Sequence, residues 1–315
     1  MGQLTVLGTI QQVAGELGLP IPASALSATD NITTQMLALA TRAGQDLFGL
    51  GEWSQLQTEL LIPIPQPISA TVQFTLNSTT ATVTSAGFTG VSEGIFAVTS
   101  QYVSKTCRVA AVSGNTVTLT EPAIATELDT GAYFAQDSFA VPTDFAALIP
   151  RTYWDRGRLW ELQGPLTPQE DQWIRSGIVA QGPRRKFRKV GRDSYQIVIR
   201  PTPTTSDLYP TDLVFEYISA YWINDASGNP KAVFTLDTDT TIYEDLVFTA
   251  GLKWRYLQAK GFEYQDYQSE WAMLAKNSLA RANPGRTLNL TSNGWTRLLG
   301  ASNVPDGNFP GAAAP

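Results

Sequence analysis

The hydrophobic period of this chain changes along its length, and that change restricts the folds open to it. Leu4, Leu7, Ile10, Val13, Ala14 and Leu17 recur at three- and four-residue spacing, and Gly18, Pro20 and Pro22 end the run. A second helical run starts at the capping residue Asp30, passes through Ile32, Met36, Leu39, Ala40, Ala43 and Leu47, and stops at Gly49 and Gly51. From Leu60 the pattern becomes strand-like. Residues 67–141 are rich in Val, Thr, Phe and Tyr, with turns at Ser113-Gly114-Asn115 and Thr130-Gly131. A small β-barrel or sandwich inserted into a helical protein accounts for both periods, with Pro63, Pro65 and Pro67 on one side and Pro142 on the other as its hinges.

After the insert, Thr167, Pro168 and Glu170 form a capping box that opens a short helix. KFRKVGRDSYQIVIRPTP reads as a hairpin turning at Gly191 and Asp193, with Tyr195, Ile197 and Ile199 alternating. DLVFEYISAYWI is a further strand, with Leu213, Phe215 and Tyr217 on one face. Thr241 to Glu244 reads as a second capping box, opening a long helical region to Ala282 that breaks near Gly261 and ends at Asn283-Pro284-Gly285. The expected fold class is α+β: a helix bundle of an N-terminal helix pair and two long C-terminal helices, an antiparallel β-sheet, and the inserted β-module. The expected division is 1–65 (helix pair), 66–141 (β-insert), 142–285 (remainder of the body) and 286–315 (extended tail).

Charged residues make up 16% of the 315, against about 25% in ordinary soluble domains. A surface this poor in charge is suited to being covered, which suggests an assembly subunit. The net charge of -6 gives the whole chain no electrostatic attraction to nucleic acid or to anionic membrane, and no apolar run reaches membrane-spanning length. A soluble, cytosolic protein is expected. The single cysteine, Cys107, sits in a strand-like run and reads as a buried inert thiol. The absence of histidine removes Ser-His and Cys-His nucleophile pairs and the ordinary zinc ligand sets.

Asp237, Asp239, Glu244 and Asp245 lack the glycine and spaced glutamate of a calcium loop, so a capped helix start is the better reading. Trp173, Trp222, Trp254 and Trp271 read as core and interface packing in preference to a cofactor box. No cofactor, metal or catalytic set is expected. The basic run Arg184, Arg185, Lys186, Arg188, Lys189 and Arg192 is open to two readings: a solvated or subunit-contacting hairpin, or an electrostatic lining that faces DNA. Finally, the stretch Leu252 to Arg281 carries aromatics on more sides than one packed face requires.

Taken in order, three stretches resemble the head-to-tail adaptor (connector) proteins of short-tailed bacteriophages. They are the opening helix pair over 13–56, VPTDFAALIPRTYWDRGRLWELQGPLTPQEDQWI over 141–174, and YQIVIRPTPTTSDLYPTDLVFEYISAYWI over 195–223. The two long C-terminal helices match in position. The insert over about 67–141 departs from the small members of that family. The resemblance implies a virion protein of the head-tail neck, assembled in the host cytoplasm. It would form a ring of twelve copies joining the portal to the tail nozzle, with double-stranded DNA passing non-specifically through the lumen.

In a ring each copy has two lateral neighbours, so Tyr256, Phe262 and Trp271 become candidates for subunit contacts. The insert is a candidate contact for a tail fibre. Other classes are a decoration or fibre-attachment subunit and a virion glycan hydrolase, which would need two carboxylates across a cleft. The tail holds Trp295, Leu298, Leu299 and Phe309 without sustained period, and the resemblance implies that it docks on the portal. Removal of 286–315 is therefore expected to leave a folded subunit that no longer captures portal in a pull-down. Full capture by the shortened chain would place portal binding elsewhere.

Overall fold

The computed structural model describes residues 3–86, 88–103, 107–175, 184–191, 195–205, 207 and 211–283. The tail residues Trp295, Leu298, Leu299 and Phe309, together with Arg192, lie outside them. The described chain is mixed α+β, with five α-helices and antiparallel sheets built around three hydrophobic clusters.

Helix α1 (Val6–Glu16) is capped by Thr5, whose hydroxyl accepts from Gly8 N at 3.1 Å. Helix α2 (Asn31–Leu50) is capped by Asp30, which accepts from Thr33 N at 2.8 Å. Helix α3 (Pro168–Arg175) opens with the expected box: Glu170 Oε2 accepts from Thr167 N at 2.8 Å, and Glu170 N donates back to Thr167 Oγ1 at 3.3 Å. Helix α4 (Asp245–Lys260) ends in a Schellman motif. Gly261 takes a left-handed φ of 76°, its N–H reaches Gln258 O, and Phe262 N reaches Leu257 O at 3.0 Å. Helix α5 (Gln265–Ala282) follows.

The capping box expected at Thr241 to Glu244 does not form. Thr241 is in a short strand paired with Ile223, and the helix starts at Asp245 with no side-chain cap from Glu244. Asp245 instead accepts from Leu4 N at 2.9 Å, tying the start of the chain to the start of α4.

Helix α4 packs against α1, α2 and α5. Its buried residues, among them Phe248, Leu252, Trp254, Tyr256 and Leu257, therefore face several neighbours, as expected of a helix covered on most sides. That explains the aromatic spread within the chain itself. Two glycines permit the close approach. A Cβ on Gly44 of α2 would lie 2.1 Å from the Trp222 ring, and one on Gly251 of α4 would lie 3.0 Å from Trp271 Nε1.

The strand Thr211–Ser219 is the middle of a five-stranded sheet. Gln57–Ile64 lies on one side of it, with Leu60 opposite Phe215, and Phe145–Leu148 and Trp154–Asp155 lie on the other. As a central strand it buries both faces, so Val214 and Ile218 are covered as well as Leu213, Phe215 and Tyr217. A three-stranded sheet of Ser138–Ala140, Gln196–Arg200 and Lys186–Val190 packs on it. Tyr153, Phe187 and Phe215 meet between them edge-on or tilted, at 4.7 to 5.7 Å.

The insert is a curled, half-barrel sheet of eight short strands between Ile68 and Gln136. The segment 68–74 bonds to 127–134 on one side and to Thr80–Val83 on the other. Inside lie Val72, Phe74, Val109, Val117, Phe134 and Cys107, whose thiol is pushed up by burial. After Gln136 the chain leaves the curled sheet, and Ser138–Ala140 pairs with Gln196–Val198.

Gly44→Ala is expected to destabilise the chain by about 1–3 kcal/mol or more, because a buried indole has no room to withdraw. Gly15→Ala, at an exposed α1 position with nothing within 4 Å, is expected to stabilise it by roughly 0.5–1 kcal/mol. Denaturant midpoints at unchanged slope read both, and equal signs would contradict this packing.

Candidate functional site

Where the insert meets the body, charged side chains are drawn inward. Asp137 has no exposed surface. Its carboxylate accepts from Arg200 Nη1 at 2.6 Å, Arg108 Nη2 at 3.1 Å and Ser138 Oγ at 2.9 Å. Arg200 Nε lies 3.3 Å from Asp171 Oδ1, and Asp171 Oδ2 accepts from Arg188 Nη1 at 2.8 Å. Arg108, Asp137, Arg200, Asp171 and Arg188 thus alternate in charge across four elements: the curled sheet, the boundary, the three-stranded sheet and α3.

A second network lies nearby in sequence. Arg185, 3% exposed, stands 3.3 Å from Asp155 Oδ2 and 3.2 Å from Asp207 Oδ2. Arg158 also pairs with Asp207, and Thr211 Oγ1 donates to Asp155 at 2.9 Å. Such buried pairs persist only where both partners are present.

These networks dissolve the expected basic patch. In the strand Lys186–Val190, period-two alternation sends Lys186 and Arg188 to one face, opposite Arg200 and Val198, and Phe187 and Lys189 to the other. Lys189 Nζ sits 3.7 Å from the centre of the Tyr195 ring, and burial lowers its pKa. Lys186 is half-buried, Arg185 and Arg188 are held by aspartates, and Arg184 is exposed. A continuous DNA-facing strip is therefore not what the described residues present.

The aromatic candidates divide similarly. Tyr256 and Trp271 are buried in the chain's own helical cluster, 4% and 7% exposed, so they are not left for a neighbouring subunit. Phe262 stands out at 61%. Of the four tryptophans singled out by sequence, Trp222, Trp254 and Trp271 are core and Trp173 is exposed.

The acidic stretch forms internal ties. Asp237 Oδ1 accepts from Ala25 N at 2.9 Å and Leu26 N at 3.0 Å. Asp239, fully buried, accepts from Lys231 Nζ, Thr235 N and Leu236 N at 2.7 to 2.9 Å.

Large apolar side chains remain exposed on several elements, and two groups of them flank clefts or turns of the body. The five-stranded sheet and its hairpin show Leu61, Trp154, Leu159 and Trp160, with Leu159 77% exposed and at a left-handed φ of 57°. A cleft of about 680 Å³ lies among Glu59, Arg151, Trp154, Leu159 and Glu216. The helical side shows Leu246, Phe262, Tyr267 and Met273.

Sequence reasoning missed Asp137, Asp155, Asp171, Arg108 and Arg200. The visible signal was an aspartate inside a strand-like run, FAQDSFA. Asp171 read only as a first-turn acid of α3. Among the described residues no helix is long and apolar enough to cross a membrane. No family model matches the chain, and no curated protein matches it.

Desolvation opposes ionisation of Asp239, but the Lys231 ammonium and the two backbone N–H groups outweigh it, so its carboxyl is held below the ordinary 3.8. A depressed folded pKa gives stability that is present above 3.8 and is lost as pH falls through the folded value. Asp239→Asn is expected to cost roughly 1–3 kcal/mol at pH 7 and less at pH 3. Denaturant midpoints at the two pH values test this, and an equal deficit at both would contradict it.

Proposed function

We propose that this chain is a structural subunit of a virion, the head-to-tail adaptor of a short-tailed phage. Twelve copies close a ring between portal and tail nozzle, and double-stranded DNA passes through its lumen. The observation that carries this reading is the exposure of large apolar side chains on separate elements: Leu61 and Trp154 on one face of the five-stranded sheet with Leu159 at its hairpin, and Leu246, Phe262, Tyr267 and Met273 on and beside the two long helices. A closed ring is held by heterologous contacts, so each copy needs two different adhesive faces, whereas a two-fold dimer needs one.

Support also comes from two of the segments that carry the family resemblance. Asp144 of Pro142-Thr143-Asp144 accepts from Tyr217 Oη at 3.1 Å and Ser219 Oγ at 2.6 Å, both in Phe215-Glu216-Tyr217-Ile218-Ser219. Burial and the Asp144 charge push the Tyr217 hydroxyl up to about 12, so it remains a donor. The two segments act as one structural unit. Lateral contacts are assigned to the exposed sets and to Phe262, in place of the buried Tyr256 and Trp271. The curled insert is the part available to a fibre, and the tail from 286 to 315 is the part assigned to the portal.

Light scattering on the full chain with purified portal is expected to give a complex holding twelve copies. Leu159→Asp combined with Phe262→Asp is expected to abolish it while changing monomer stability by no more than about 0.5 kcal/mol, since both side chains are exposed. Trimers, or rings that survive the double substitution, would refute the reading.

A further inference from the structure

A pocket of about 260 Å³ opens where the curled sheet, the three-stranded sheet and α3 meet, and its wall holds Arg108, Arg175, Arg188 and Arg200 with Asp171 and Gln196. We propose that this pocket binds a phosphate-type oxyanion, independently of the ring reading above.

The argument begins with charge. Within the network three arginines face two aspartates, Asp137 and Asp171, which leaves one positive charge in excess, and Arg175 also lines the wall. In an acidic chain of net charge -6 this is a local excess of positive charge in a concave, partly dehydrated place.

Donor geometry is the second element. A guanidinium carries five N–H groups in a planar fork suited to tetrahedral oxyanions. The bonds that Arg188 makes to Asp171, and Arg200 to Asp137 and Ile199 O, use only part of each set. Arg200 Nε has no surface of its own and faces Asp171 Oδ1 at 3.3 Å, whereas Arg108 and Arg188 keep 26% and 22% of their side chains exposed, so their guanidinium groups are the donors within an anion's reach. The aspartates hold the guanidinium groups in place, and an oxyanion entering from the mouth reaches the donors they leave.

Phosphate of this type has two sources, free phosphate or the backbone of nucleic acid, and the measurement separates them. Full-length protein is titrated with inorganic phosphate against chloride of matched ionic strength, read by isothermal calorimetry and thermal melting. In a parallel arm it is titrated with a short duplex DNA of arbitrary sequence. Saturable phosphate binding that raises the melting temperature is expected, weakened at least tenfold in both Arg175→Gln and Arg188→Gln. DNA that binds and is displaced by phosphate would make the backbone the source; phosphate binding without DNA binding would make it free phosphate. Wild-type protein that binds neither at millimolar concentration, or phosphate binding unchanged in both folded variants, would overturn the proposal. Because the wild-type titration alone can refute it, an unfolded Arg188→Gln would not shelter the idea.

Discussion

The fully buried carboxylate of Asp137 is the constraint on which the arrangement of the chain depends. A lone carboxylate with no access to water is costly, and it persists here because two guanidinium groups and a hydroxyl surround it. Those donors come from different places: Arg108 from the curled sheet, Arg200 from the three-stranded sheet. The backbone beside Asp137 repeats the connection, since Asp137 N reaches Ile95 O and Ile199 N reaches Asp137 O. The insert has a hydrophobic cluster of its own, yet its orientation on the body is set by polar contacts that tolerate no substitute partner. Buried ion networks add modest net stability but strongly penalise arrangements that leave one member unpaired. Here that penalty acts on the angle between two parts of the molecule.

The same use of charge recurs in the helical part. Asp237 and Asp239 hold backbone N–H groups near residues 25 and 235, Asp245 holds Leu4 N, and Lys253 reaches Glu16 at 2.7 Å. With only 16% charged residues, a chain that turns so many of them to internal ties leaves a surface dominated by neutral polar and apolar groups. A low charge fraction and exposed leucine, phenylalanine and tryptophan are thus two results of one allocation.

What the sequence made legible was local. The Asp30 cap, the Thr167–Glu170 box, the 186–200 hairpin and the Gly261 break depend on residues a few positions apart, and each stands where the pattern places it. The box expected at Thr241 had the right letters but lost to a distant partner, the strand Ile223–Asn224, which holds Thr241 in a bridge. The aromatics of α4 and α5 had an ambiguous pattern, because an all-round apolar helix looks the same whether its neighbours come from its own chain or another. Gly251 bears on the choice, since its missing Cβ admits Trp271 of α5 from within the chain, and no periodicity records that. The basic run misled for a related reason. Composition counts six positive charges, while strand alternation and aspartates 17 to 30 residues away decide where Arg185 and Arg188 go.

The location of the exposed apolar groups then bears on assembly more directly than their number. Leu159 is held in a left-handed conformation that costs a branched, apolar residue of the order of 1 kcal/mol, and it shows most of its side chain to solvent. Nothing in the hairpin Trp154–Glu161 requires a leucine there, because a glycine or asparagine would take that backbone with less strain. At that position Leu159 presents its side chain to the cleft and to solvent. Across the sheet, Glu59 stands directly opposite Glu216, with Arg156 reaching Glu59 at 2.7 Å, so one unpartnered carboxylate borders the same cleft. A neighbour that fits this face must bring an apolar group for Leu159 and Trp154 and a donor for Glu216. The helical set around Phe262 and Met273 offers apolar groups, with exposed Lys260, Glu263, Asp266, Glu270 and Lys276 beside them in sequence. In the ring proposed above, both lateral faces would come from one chain, which is what growth in one direction around a closed ring requires.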